Sequence, residues 1–201
     1  KHGGEYMPVK TISFFLALLL GAAAFPSART EDITPEYDGD TIVSYYEKKT
    51  DCPAISAKSG YLFCPESEEE LFSLNADERL PMASTTKIMT GILAVELLDP
   101  DKIIEVDDRA VGTEGSSAYL MKGEKIAVGT LIYALMLQSA NDAAAALAYE
   151  TAGEIDCFAD LMNKKAGELG LTDTHFTNPH GLDDKQHYTS ARDLAKLTAY
   201  A

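Results

Sequence analysis

The run from Lys87 to Leu98 sets the terms for the fold. Ile88, Met89, Ile92, Leu93, Val95 and Leu97 recur at helical spacing but spread too widely around the axis to form one stripe. Such a helix has to be enclosed on most sides, and Asp99-Pro100 stops it. Its start is Pro81-Met82-Ala83-Ser84-Thr85-Thr86-Lys87, where a serine and a lysine stand three apart and share a helical face. Burial disfavours an ammonium, so a lysine in the first turn of an enclosed helix loses basicity. A neutral amine beside a serine is one way to activate the hydroxyl without histidine. The pattern alone is cheap: about one Ser-x-x-Lys arises by chance in a chain of this length. An N-capping serine beside a solvated lysine would give the same letters.

The remaining composition narrows the setting. With 46% hydrophobic and 24% charged residues the chain has enough apolar material for a real core. A net charge of −15 argues against nucleic acid and against a broad basic membrane-binding face. Lys10, an apolar run from Ile12 to Leu20 and Gly21-Ala22-Ala23-Ala24 have the layout of an export signal starting at Met7 and cut after Ala24. We therefore expect residues 1–24 to be upstream residues and signal peptide, 25–52 a linker, and 53–201 the folded part. Cys52 and Cys64 flank one strand and would lie about 40 Å apart if it is straight, far beyond bridging range. With Cys157 they are expected to be free thiols.

The residues around Tyr61 and Leu71-Phe72-Ser73-Leu74 predict a β-hairpin turning at Cys64-Pro65-Glu66-Ser67. After the central helix, strand-like pieces are expected at Ile103-Ile104-Glu105-Val106 and Ala118-Tyr119-Leu120-Met121. Helices are expected over about Thr130 to Leu137, from Asp142 to about Glu150, over Ile155 to Leu169, and from Ser190 onward with Leu194, Leu197 and Tyr200 buried.

Ser139-Ala140-Asn141 falls between two predicted helices, where a hydroxyl and an amide can point into a cleft. Ser73-Leu74-Asn75 repeats the pattern but ends a strand, so we read it as a decoy. His175, His180 and His187 lie near Asp183 and Asp184, yet their spacings fit no helical ligand pair. They are expected to cap loops or sit on the surface, with no metal bound.

Taken in order, four stretches resemble the penicillin-binding serine D-Ala-D-Ala carboxypeptidases. They are Asn75 through Thr90, Leu137-Gln138-Ser139-Ala140-Asn141-Asp142-Ala143-Ala144, Phe176-Thr177-Asn178-Pro179-His180-Gly181-Leu182, and His187 through Ala195. The resemblance implies a helix-rich α/β fold shared with serine β-lactamases, an antiparallel sheet flanked by helices with a helical subdomain across a cleft. It implies Ser84 as acylated nucleophile, Lys87 as its neutral base, Ser139 as proton relay, and Asn141 as a substrate-backbone holder that also aligns Lys87. The implied partners are a peptidoglycan stem peptide ending in D-Ala-D-Ala and β-lactams as covalent inhibitors, with no cofactor. Membrane contact is expected only through the signal segment or a C-terminal anchor.

The family's third element, Lys-Thr-Gly or Lys-Ser-Gly on a strand after the Ser-x-Asn, is not found in that position. Lys58-Ser59-Gly60 precedes Ser84 and reads as hairpin. We therefore expect an incomplete fold lacking its C-terminal strands, and weak or no turnover by the 201 residues alone. The readings kept open are a peptidoglycan endopeptidase, a β-lactamase (no Glu-x-x-Leu-Asn follows Asn141), and a non-catalytic penicillin-binding module.

Overall fold

The computed structural model describes residues 55–201. The expected export signal, the expected linker and Cys52 lie outside these residues. Two two-stranded antiparallel sheets, five α-helices and a 3₁₀ turn make up the described residues. Strands β1 (Gly60–Phe63) and β2 (Glu70–Leu74) pair antiparallel, as the alternation predicted. The Lys58-Ser59-Gly60 and Ser73-Leu74-Asn75 triplets are part of this hairpin. Ser59 Oγ donates to the Asn75 carbonyl and Asn75 Nδ2 donates to that of Lys58, both at 2.9 Å.

The chain then makes a 3₁₀ turn over Ala83–Thr86 and enters helix α1 (Lys87–Leu97). Strand β3 (Ile103–Glu105) follows, paired with β4 (Lys125–Ala127). Helices α2 (Val128–Leu137), α3 (Asn141–Ala152), α4 (Ile155–Glu168) and α5 (Ala191–Tyr200) complete the fold.

Helix α1 is the hub, packed on α2, α3 and α4 and touching α5. Its Ala94 joins a core with Leu131, Leu135 and the alanines of α3. Its Met89, Ile92 and Leu93 join a second core with Phe158, Met162, Phe176 and Leu197. The alanine run Ala143–Ala146 is what lets α3 come this close, because each small side chain admits its neighbour's backbone. Enclosure is strong over the first two turns of α1 and fades afterwards: Val95 is 66% and Leu97 53% exposed.

Three expectations need correction. Ala118–Met121 is not a strand: β3 takes β4 as its partner, and the Ala118 and Leu120 N–H groups go to a carboxylate. Tyr200 is half exposed, its hydroxyl donating to Glu96 at 2.6 Å and its ring under the Lys165 ammonium. Ser84 lies in the 3₁₀ turn that precedes the α-helix. By contrast, α5 begins as predicted, with Ser190 Oγ capping the Asp193 N–H at 3.1 Å. Cys64 and Cys157 are free thiols.

Candidate active site

The 3₁₀ turn keeps Ser84 and Lys87 on one face, as the helical spacing of three predicted. Its tighter winding stacks i over i+3, which brings Lys87 Nζ to 3.2 Å from Ser84 Oγ. The two groups differ sharply in solvent access: Ser84 is exposed whereas Lys87 is 3% exposed. A second partner, the His180 carbonyl, accepts from Nζ at 2.7 Å. Burial alone lowers the Lys87 pKa from 10.5 to about 8. No carboxylate among the described residues contributes to hold it up.

The turn is strained at one residue. Ala83, immediately before Ser84, has φ +45°, a left-handed conformation worth on the order of 1–3 kcal/mol for a residue with a Cβ. Its carbonyl accepts from Thr86 Oγ1 at 2.7 Å. Gly181 lies against the same carbonyl, and a Cβ there would collide with it; glycine at φ +89° is what the close approach requires. The Ser84 N–H has no hydrogen-bond partner among the described residues, which leaves it as a free donor beside the hydroxyl.

Ser139 and Asn141 sit in the α2–α3 turn. Ser139 is half-buried, has φ +54°, and makes no hydrogen bond to Ser84 or Lys87. Asn141, 6% exposed, makes no hydrogen bond to Lys87 either. Its Nδ2 donates to the Glu114 carbonyl at 2.5 Å, packed against Gly115, while its Oδ1 has no partner among the described residues. The hydrogen bonds therefore join Ser84 to Lys87 and do not include Ser139 or Asn141. The further partner of Lys87 among the described residues is a main-chain oxygen.

Several residues of the site escaped the sequence. Asp142 is 1% exposed, and its carboxylate accepts from Ser117 Oγ and from the N–H groups of Ala118, Leu120 and Ala143. Burial pushes its pKa up, but these donors outweigh burial and hold it below the ordinary 3.8. It thereby shapes the loop that lies over Asn141. The signal was an acid in the first turn of an alanine-rich helix.

His187 caps a loop, as expected, its Nδ1 accepting from the Thr177 N–H at 3.0 Å, but it does not sit on the surface. It is 3% exposed, because both ring nitrogens find protein partners. Thr90 Oγ1, fully buried, donates to the Pro179 carbonyl at 2.6 Å and ties the same loop to α1.

Solved structures of penicillin-binding proteins and D-alanyl-D-alanine carboxypeptidases share this scaffold. Penicillin binding protein 5 from Haemophilus influenzae superposes with TM-score 0.72 at 34% identity, over 75% of this chain and 46% of that one. The D-alanyl-D-alanine carboxypeptidase DacD structure from Francisella tularensis gives 0.71 at 35% identity, over 74% and 37%. The D-alanyl-D-alanine carboxypeptidase DacF of Bacillus subtilis is 40% identical over 153 residues, which is 74% of this chain and 39% of the relative. A family model described as D-alanyl-D-alanine carboxypeptidase, peptidase S11, matches residues 46–201, and the chain belongs to that family. It spans about two-fifths of the length of the curated relatives it matches, 39% for DacF.

Proposed function

We propose that this chain carries the acylation machinery of a serine-type D-Ala-D-Ala carboxypeptidase acting on peptidoglycan stem peptides. The observation that carries the reading is the exposed Ser84 hydroxyl 3.2 Å from the buried Lys87 amine. In the neutral amine, one N–H donates to the His180 carbonyl and the lone pair faces Ser84 Oγ–H. Lys87 takes the hydroxyl proton as Ser84 Oγ attacks the carbonyl of the penultimate D-alanine. The unpartnered Ser84 N–H faces the developing oxyanion. The C–N bond to the terminal D-alanine breaks as the proton held on Lys87 passes to the leaving amine, through the Ser139 hydroxyl once the bound peptide draws it into the relay, and Lys87 is neutral again. Asn141 Oδ1, free of protein partners, accepts a substrate backbone N–H. Water then releases the shortened peptide from the Ser84 ester.

A β-lactam presents the same reacting carbonyl but keeps its leaving group tethered, so it is expected to remain on Ser84. With such a substrate the protein acts outside the cytoplasm, a reading that the signal-like layout of the sequence from Met7 to Ala24 supports. No cofactor enters the reaction.

Incubating the full-length gene product with fluorescent penicillin should give one adduct, mapped to Ser84 by peptide mass and absent in Ser84→Ala. Free D-alanine should appear from a pentapeptide ending in D-Ala-D-Ala. Rapid hydrolysis of the penicillin with no lasting adduct would instead mark a β-lactamase. No reaction at all would mark a binding module.

A further inference from the structure

A continuous hydrogen-bond chain runs from the 177–187 segment to the residue that presents Ser84. The Thr177 N–H donates to His187 Nδ1 at 3.0 Å. Nδ1 is therefore an acceptor, and the ring hydrogen is on Nε2. Nε2 lies 2.7 Å from Thr86 Oγ1 and donates to it. Thr86 Oγ1, its lone pair occupied, turns its own hydrogen to the Ala83 carbonyl at 2.7 Å. Every donor in the chain meets an acceptor, and reversing the imidazole tautomer would set N–H against N–H at one end.

The surroundings fix the ring in this orientation. Thr86 is fully buried, and Phe176 packs edge-on against the imidazole with centroids 5.8 Å apart. Burial keeps the imidazole neutral, its pKa pushed down to about 4. The segment is pinned to the nucleophile turn at both flanks: Leu80 and Thr189 exchange backbone hydrogen bonds, and Gly181 abuts the Ala83 carbonyl.

We propose that His187 is a positioning residue for the nucleophile, its Nε2–H setting the Thr86 hydroxyl so that Ala83 stays left-handed and Ser84 Oγ stays over Lys87. This rests on the acyl-transfer reading of Ser84. It assigns the imidazole a task separate from the proton transfers, since the ring touches neither Ser84 nor Lys87.

The test is stopped-flow acylation of the full-length gene product by a fluorescent penicillin. It separates the binding constant before bond formation from the acylation rate constant per reactive molecule. His187→Asn can keep the acceptor for Thr177 but does not reach Thr86, and Thr86→Val removes the hydroxyl. Both should lower the rate constant roughly 10- to 100-fold with binding little changed. Thr86→Ser should restore it, and the double variant should lose no more than either single one.

Long-range ¹⁵N–¹H spectra of the wild type should show His187 protonated on Nε2. A purely structural role would show fewer reactive molecules, each acylating at the wild-type rate, and that result overturns the proposal. So does a His187→Asn variant as fast as wild type, or a wild-type His187 protonated on Nδ1. A wild type that forms no adduct refutes the acyl-transfer reading itself, and this proposal with it.

Discussion

Two turns carry the residues of the candidate site, and they are braced by opposite chemistry. Each contains one left-handed residue with a side chain, Ala83 before Ser84 and Ser139 before Asn141. The second turn is organised around an ion: the buried Asp142 carboxylate collects three backbone N–H groups and a hydroxyl. The first is organised without one. Its brace is neutral throughout, made of the His187 imidazole, the Thr86 and Thr90 hydroxyls and the carbonyls of Ala83, Pro179 and His180. The difference follows from Lys87. A carboxylate within a few ångströms would favour its ammonium form and raise its pKa, whereas carbonyls align the amine and leave burial to lower it. A carboxylate can brace Asn141 because no base has to be kept neutral there.

The largest effect should come from changing the group that the neutral brace serves. Lys87→Gln keeps length and polarity but supplies no base, so acylation by penicillin should fall about 10²–10⁴-fold. Lys87→Arg should do as badly, since a guanidinium does not deprotonate in this range. Rates from either variant within a few-fold of wild type would show that the base lies elsewhere.

Next is the ionic brace. Asp142→Asn turns an amide toward groups that now donate to a carboxylate, and unfolding in urea should show a loss of about 2–4 kcal/mol. The pH dependence has a definite sign. A carboxylate whose folded pKa lies below its ordinary 3.8 stabilises the fold above that value and loses this as pH falls through the folded pKa. The variant's stability should therefore fall less steeply than the wild type's below about pH 4. Identical acid limbs would mean that Asp142 is not the group being titrated.

The neutral brace has a pH signature of its own, read in rate. Acylation needs Lys87 without its proton, and burial sets that transition at about 8. The acylation rate constant should rise roughly tenfold per unit below this value and level off above it. A flat profile between pH 6 and 9 would show that Lys87 is not the base that limits acylation.

How far these turns could be read from sequence depends on the range of their contacts. Ser84 and Lys87 were legible because their meeting is local, fixed by helical periodicity over three residues. The alternating β1–β2 hairpin and the Ser190 cap were legible for the same reason. The Ala118–Met121 piece was misread because its N–H groups answer to Asp142, more than twenty positions away, and no local pattern records that. His187 was half legible: it caps a loop, as expected, but its burial comes from Thr86, 101 positions upstream, which closes over it. The alignment of Lys87 by a backbone carbonyl has no letter in the sequence at all, since any residue at position 180 offers the same oxygen.

The smallest expected effect concerns whether the neutral brace is one chain or several. Thr90 Oγ1 supplies a second tie between α1 and the 177–187 segment, parallel to Thr86–His187 and ending on the Pro179 carbonyl next to His180. Thr90→Val preserves volume and removes the hydroxyl, leaving that carbonyl buried without its donor, which should cost about 1 kcal/mol of stability. Its effect on catalysis should be indirect. A looser Pro179 shifts the adjoining His180 carbonyl and with it the amine, so acylation should slow less than in Thr86→Val. The Lys87 transition should move if the carbonyl contributes to alignment, which the acylation rate constant measured across pH 6–9 would register. Equal losses in the two variants would mean that the segment moves as one rigid body. Any displacement of it would then disturb Ser84 and Lys87 together, and the division of labour between Thr86 and Thr90 would disappear.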